Sequence, residues 1–226
     1  MDWKRGIIVK KGFAVIGLGT FGSTVCKELY HLGNEVLAID IDEENVREVM
    51  NNSSYATVAN ATDQEALESL GIKNFDYAVV SIGEKIQPSI LSTLILKEMG
   101  VKNVWVKAKN EKHHKILEKI GADRIIHPEQ EIGIRVANQL DSGKITDYIE
   151  LSKDYSIIEL VATKRVSNRS LVNLDIRAKF GCTILAIRRE ENVNISPMPD
   201  DIILIGDILI VMGHVKNLKR FEEKGV

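Results

Sequence analysis

Phe13-Ala14-Val15-Ile16-Gly17-Leu18-Gly19-Thr20-Phe21-Gly22 is the stretch on which the fold turns. Its first four residues are apolar and too few for a surface helix, so they read as a strand buried on both faces. The three glycines then open a helical period running from Ser23 to Leu32. In a strand–turn–helix unit each glycine has a separate task. The first makes the tight turn, the second lets backbone approach a phosphate, and the third lets helix pack on strand. The helix start offers unpaired N–H groups and roughly half a positive charge to an anion.

Working outward, the same alternation repeats. Short apolar runs at 35–39, 55–59, 77–81, 103–107 and 124–127 read as further strands. Helical periods lie between and after them, at 43–51, 63–70, 88–99, 113–120 and 129–140. Gly33, Gly71, Gly100 and Gly121 stand where helices stop, and Asp42 and Thr62 where helices start. Six strands alternating with helices predict an α/β fold, a doubly wound parallel sheet. After Asp141-Ser142-Gly143 the character changes to β-rich, with strands expected at 157–162, 182–187 and 193–196. Two more, 202–205 and 208–211, flank a Gly206-Asp207 hairpin signal, and helices are expected at 170–179 and 216–223. We therefore divide the chain into 1–143 and a smaller α+β domain, 144–226.

Composition narrows the function. The chain has 226 residues, with 44% apolar, 27% charged and only 4 prolines, which describes a globular protein. Thirty basic against 32 acidic side chains give a net charge of −2, and aromatics make up 5%. Neither counterion release nor base stacking is then strong, so nucleic acid is not an expected partner. Two cysteines make no disulfide framework and suit a reducing cytoplasm. No apolar run reaches the roughly 20 residues of a membrane helix, so action at a membrane would go through a partner.

Asp40 ends the second strand eighteen residues after Gly22. There a carboxylate accepts ribose hydroxyls and disfavours a 2′-phosphate; its other reading is a turn cap before Asp42. Further contacts are expected from the carboxyl ends of the remaining strands, at Asn60-Ala61-Thr62, Ser81-Ile82-Gly83 and Lys107-Ala108. Lys107 is either a phosphate partner or a solvated strand-end lysine. Chemistry beyond binding is hard to find. No tyrosine has a lysine four residues later, so the common proton-transfer pair of an NAD-dependent oxidoreductase, the alternative function on this scaffold, is missing. His113 and His114 diverge by about 100° on their helix; His114 pairs with Glu118 as a solvated couple, and His127 reads as structural. Cys26 reads as core. A redox-sensing repressor would need a basic winged helix, which neither terminus supplies.

Gly17-Leu18-Gly19-Thr20-Phe21-Gly22, Asp40, Asn60-Ala61-Thr62-Asp63, the run from Ala122 to Glu129 and the run from Asp175 to Cys182 together resemble the cytosolic subunit of Ktr-type potassium uptake systems. These are proteins of RCK (regulator of potassium conductance) architecture akin to TrkA, and the resemblance covers nearly the whole chain. It implies a non-enzymatic regulator with an N-terminal Rossmann lobe that binds ATP, ADP or NAD(H). It implies subunits pairing into dimers and an octameric gating ring, docked on the cytoplasmic side of a membrane potassium transporter. The implied nucleotide contacts are Gly17, Gly19, Phe21, Gly22, Asp40, Ile41, Asn60, Ala61, Thr62, Ile82, Gly83, Lys107 and Ala108. Glu129 matches the glutamate that ligates a divalent cation, magnesium or calcium, at the dimer interface. Cyclic di-AMP is implied at Leu171, Asp175, Ile176, Arg177, Thr183, Ile184 and Pro199. One position departs from the pattern: Thr20 stands where an arginine usually reaches the phosphates, so a charge-assisted contact is missing and ATP-over-ADP discrimination is put in question.

Overall fold

The computed structural model describes residues 10–83, 85–142 and 145–226. The chain separates into two compact units, one ending at Pro128 and the other beginning at Glu129. The sequence limit at 143 falls at the far end of the helix that opens the second unit, and residues 143 and 144 lie outside the described residues.

The first unit alternates β1 (Gly12–Ile16), α1 (Thr20–His31), β2 (Glu35–Asp40), α2 (Glu43–Val49), β3 (Tyr55–Val58), α3 (Gln64–Ser69), β4 (Tyr77–Val80), α4 (Ile86–Glu98), β5 (Asn103–Lys107), α5 (Glu111–Ile120) and β6 (Arg124–Ile126). The sheet order is β3-β2-β1-β4-β5-β6, parallel throughout. Alternate residues of β1 and β2 feed two cores. Ala14, Ile16, Ile39 and Val80 pack with Leu67, Leu96 and Leu117. Val15, Val36 and Ala38 pack with Cys26, Val46 and Val49. Burial on both faces is why these strands read as unbroken apolar runs. Asp42 caps α2 through Glu44 N, whereas α3 is capped by Asp63, one residue beyond the expected Thr62. Strand order reverses between β1 and β4, and such a switch point opens a crevice at the strands' carboxyl ends.

The second unit holds α6 (Pro128–Ser142), which the division assigns to it from Glu129 onward. It continues with β7 (Ile145–Glu150), β8 (Tyr155–Val161), β9 (Arg169–Ser170), α7 (Leu171–Leu174), α8 (Ile176–Phe180), β10 (Cys182–Arg189), β11 (Asn192–Asn194), β12 (Ile202–Ile203), β13 (Ile208–His214) and α9 (Val215–Lys224). A five-stranded antiparallel sheet runs β11-β10-β13-β8-β7. Its buried face, including Ile158, Leu160, Leu209 and Val211, packs on Leu218 and Phe221 of α9. The unit holds two strands beyond those expected from the sequence, β7 and β9. The helix expected over 170–179 is two helices, because Asp175 takes the left-handed conformation at φ 46° and ψ 48°. The 202–205/208–211 hairpin does not form: β12 pairs with β9, while β13 pairs with β8 and β10. The reason is Asp207. Only 2% exposed, it turns inward to accept Arg189 Nε and Nη2, both at 2.8 Å, and Leu204 N at 2.8 Å. A residue pinned in this way is an anchor, not a hairpin tip.

Candidate functional site

A cleft of about 510 Å³ opens at the carboxyl ends of β1, β2, β3 and β4. Its floor is the glycine turn. Gly17 sits at φ +88°, and a Cβ there would lie 2.9 Å from the Ser81 carbonyl carbon, so only glycine suits both the backbone and the space. A Cβ on Gly22 would lie 1.8 Å from the Gly17 oxygen, which fixes how closely α1 approaches the turn. At Gly19 a Cβ would meet nothing within 4 Å, so backbone there faces open space. Gly19 is also the N-cap of α1, with no side-chain cap and no acidic residue in the first turn. The positive end of the helix is thus left to whatever enters the cleft.

Asp40 stands at the wall, tied into both loop and helix. Its Oδ2 accepts from Leu18 N at 2.5 Å and Asn45 Nδ2 at 3.3 Å, and its Oδ1 from Asp42 N at 2.9 Å. The turn-cap contact and the cleft position therefore coexist. Asn60 Oδ1 accepts from the amide and hydroxyl of Thr62, rigidifying the opposite lip. Ile41 is 69% exposed, an apolar side chain at the rim of a cleft and a natural seat for a planar base. Gly17, Gly19, Asp40, Ile41, Asn60, Ala61, Thr62, Ile82 and Gly83 all line the cavity. Gly22 and Ala108 are buried, and Thr20 is exposed at the first residue of α1. Lys107 places its ammonium 5.8 Å from the centre of the Phe21 ring, and 3.2 Å from where a Gly83 Cβ would sit. Asp42, Asn45, Lys85 and Pro88 also line the cavity, and sequence reasoning missed them. They reach it from the starts of α2 and α4, positions defined only once those helices dock.

The histidines arrange themselves differently from expectation. His114 Nδ1 meets His127 Nε2 at 2.8 Å instead of pairing with Glu118. The ring centroids are 5.1 Å apart and the planes 17° apart, so one ring donates to the other. His113 is 1% exposed; burial first, and the nearby His127 second, push its imidazole below the usual range toward the neutral form. Cys26 is core, as expected, and burial pushes its thiol up to about 11. Glu129 is exposed, and among the described residues no group of three His, Cys, Asp or Glu side chains could hold a metal. A single carboxylate does not satisfy a cation that takes six to eight oxygens.

In the second unit, Leu171, Asp175, Ile176, Arg177, Thr183 and Ile184 border one cavity of about 220 Å³. Pro199 does not line it but is held beside it, its carbonyl accepting from Val172 N at 2.9 Å. An apolar wall with the exposed Arg177 at its edge has the chemistry of an anion-bearing, partly apolar ligand.

Comparison with known proteins bears on this arrangement. Residues 13–128 match the TrkA-N domain and residues 155–224 the TrkA-C domain. The chain is 52% identical to Ktr system potassium uptake protein A of Bacillus subtilis (strain 168) over 221 residues, covering 98% of this chain and 100% of that one. This chain belongs to the Ktr family. A second Ktr relative, Ktr system potassium uptake protein C of the same organism, is 49% identical over 216 residues, covering 96% and 98%. The fold also resembles the GsuK channel, with TM-score 0.67, 14% identity and 96% of this chain covered. The match spans only 39% of that longer channel chain. Among the described residues of this Ktr member, no helix is long and apolar enough to cross a membrane.

Proposed function

We propose that this chain is the nucleotide-sensing regulatory subunit of a potassium uptake system, acting by binding and not by catalysis. The observation that carries the reading is the convergence of an uncapped α1, the glycine turn, Asp40 and Lys85 on one cleft, with the Lys107 ammonium beside Gly83 at its edge, in a chain 52% identical to a Ktr uptake protein. The ligand this cleft suits is an adenine nucleotide: ribose on Asp40, base against Ile41, diphosphate over Gly19 and the start of α1. ADP, ATP and NAD(H) share those parts. Thr20 supplies no charge for a third phosphate, so Lys107 and Lys85 are the cations that hold the phosphates. A divalent cation at Glu129 would need oxygens from a second copy, and nothing in the switch depends on it.

The functional domains are 1–143, which binds nucleotide, and 144–226, whose groove around Arg177 suits cyclic di-AMP. Copies pair and close into an octameric ring on the cytoplasmic face of a membrane-embedded potassium transporter. A ligand shifts such a ring only by its difference in affinity for two shapes. Moving it from 1:99 to 99:1 takes about 5.5 kcal/mol; over eight sites that is about 0.7 kcal/mol each, less than one altered charged hydrogen bond supplies. Two similar nucleotides are then enough to act as a switch.

The test is calorimetric titration of ATP, ADP, AMP, NAD and NADH, together with potassium flux through the reconstituted transporter with and without each nucleotide. Binding that leaves flux unchanged refutes the regulatory reading, and absence of binding refutes the nucleotide reading. The same titrations, followed at 340 nm with candidate substrates, would expose any NADH turnover.

A further inference from the structure

Asp40 is more fully engaged than a ribose carboxylate needs to be. A carboxylate offers about four acceptor positions. Among the described residues three donors already reach this one: Asp42 N on Oδ1, and Leu18 N and Asn45 Nδ2 on Oδ2. A ribose brings two vicinal hydroxyls, and one position remains. The two backbone bonds are set by the glycine turn and the entry to α2. The third, at 3.3 Å, is the longest and comes from a rotatable amide that lines the cleft. Nothing in the helix start requires a polar side chain at 45, because Asp42 already caps Glu44 N at 2.9 Å.

We infer that Asn45 is a specificity-determining residue that reads one ribose hydroxyl jointly with Asp40. This rests on the nucleotide reading above. On binding, the hydroxyl enters between the two side chains, donating to Asp40 Oδ2 and accepting from Asn45 Nδ2. A hydroxyl does both at once. A methylene at that place leaves carboxylate and amide without partners, and a phosphate ester sets a second negative charge against Asp40. The pair therefore selects an unmodified ribose over deoxy and 2′-phosphorylated sugars, and Asn45 is what makes the selection sharp.

The experiment is calorimetry of the full chain with ADP, 2′-deoxy-ADP and 3′-deoxy-ADP, for wild type and Asn45→Ala. Asn45 is half-buried in a helix, where alanine is the best helix former, and the thermal midpoint verifies folding. The wild type should bind ADP more tightly than one of the deoxy analogues. Asn45→Ala should weaken ADP about fivefold, the factor of one neutral hydrogen bond, and change that analogue by less than about twofold, so the preference narrows. Equal weakening of all three ligands would make Asn45 a mere prop for Asp40 and overturn the inference. So would tighter ADP binding in the variant, or a wild type indifferent to both hydroxyls. A wild type that binds no ADP overturns the nucleotide reading and this inference with it.

Discussion

Replacing Asp40 tests the turn and the ligand at once, and two substitutions separate them. In Asp40→Ala, Leu18 N and Asp42 N lose their acceptor. Leu18 is 1% exposed, so its N–H is stranded away from water, at roughly 1–3 kcal/mol. Asp42 N can turn to solvent at little cost. In Asp40→Asn one oxygen survives to accept from Leu18 N, and the new amino group faces Asp42 N, donor against donor, on the exposed side. The asparagine variant should therefore lose roughly 1 kcal/mol of stability and the alanine variant roughly 2. For a chain of this size that is about 2–4 °C of melting temperature per kcal/mol. Ligand binding should fall much further in both. A charged hydrogen bond to a sugar hydroxyl contributes roughly 1.5–3 kcal/mol, so ADP affinity should drop at least tenfold in Asp40→Asn and about a hundredfold in Asp40→Ala. Thermal denaturation and calorimetry on the same preparations give both numbers. Unchanged ADP affinity in a folded Asp40→Asn chain would refute the ribose assignment. Melting unchanged in Asp40→Ala would refute the view that this carboxylate braces the glycine turn.

Gly22→Ala should be worse for the fold than either, because the new methyl would overlap the Gly17 oxygen at 1.8 Å; a loss of roughly 3 kcal/mol and of nucleotide binding is expected by denaturation and titration. Thr20→Arg should restore a phosphate-reaching cation and raise the ratio of ATP to ADP affinity about tenfold, read by paired titrations. In the second unit, the Arg189 hydrogen bond holds the Asp207 carboxyl below its ordinary 3.8. A depressed folded-state value means the contribution is complete above that ordinary value and lost as pH falls below it. Acid titration of stability should therefore show a loss below about pH 4 that is smaller in Asp207→Asn.

The parallel sheet was legible because burial on both faces leaves strands such as Phe13–Ile16 and Tyr77–Val80 no polar residue to confuse the pattern. The antiparallel unit was less so. Ile145–Glu150 mixes Thr, Asp and Glu into a strand and follows Asp141-Ser142-Gly143, which reads as a boundary. Gly206-Asp207 has the composition of a hairpin tip, and the distant Arg189, with Leu204 N, holds the aspartate inward. At the cleft, Gly17, Asp40 and Asn60 were found because motif and strand ends specify them. Asn45 and Lys85 were not, since their approach depends on how α2 and α4 lie against the sheet. The meeting of His114 with His127 likewise joins a helix to a strand end thirteen residues on, a distance no local period encodes.

Both cysteines of the chain are buried, Cys26 behind the glycine turn and Cys182 at the start of β10, one in each compact unit. Burial keeps both thiols protonated well above neutral pH. Since thiolate is the form that peroxides attack, neither sulfur is a ready target. Oxidation of either sulfur would first require its compact unit to open and bring the thiol into water.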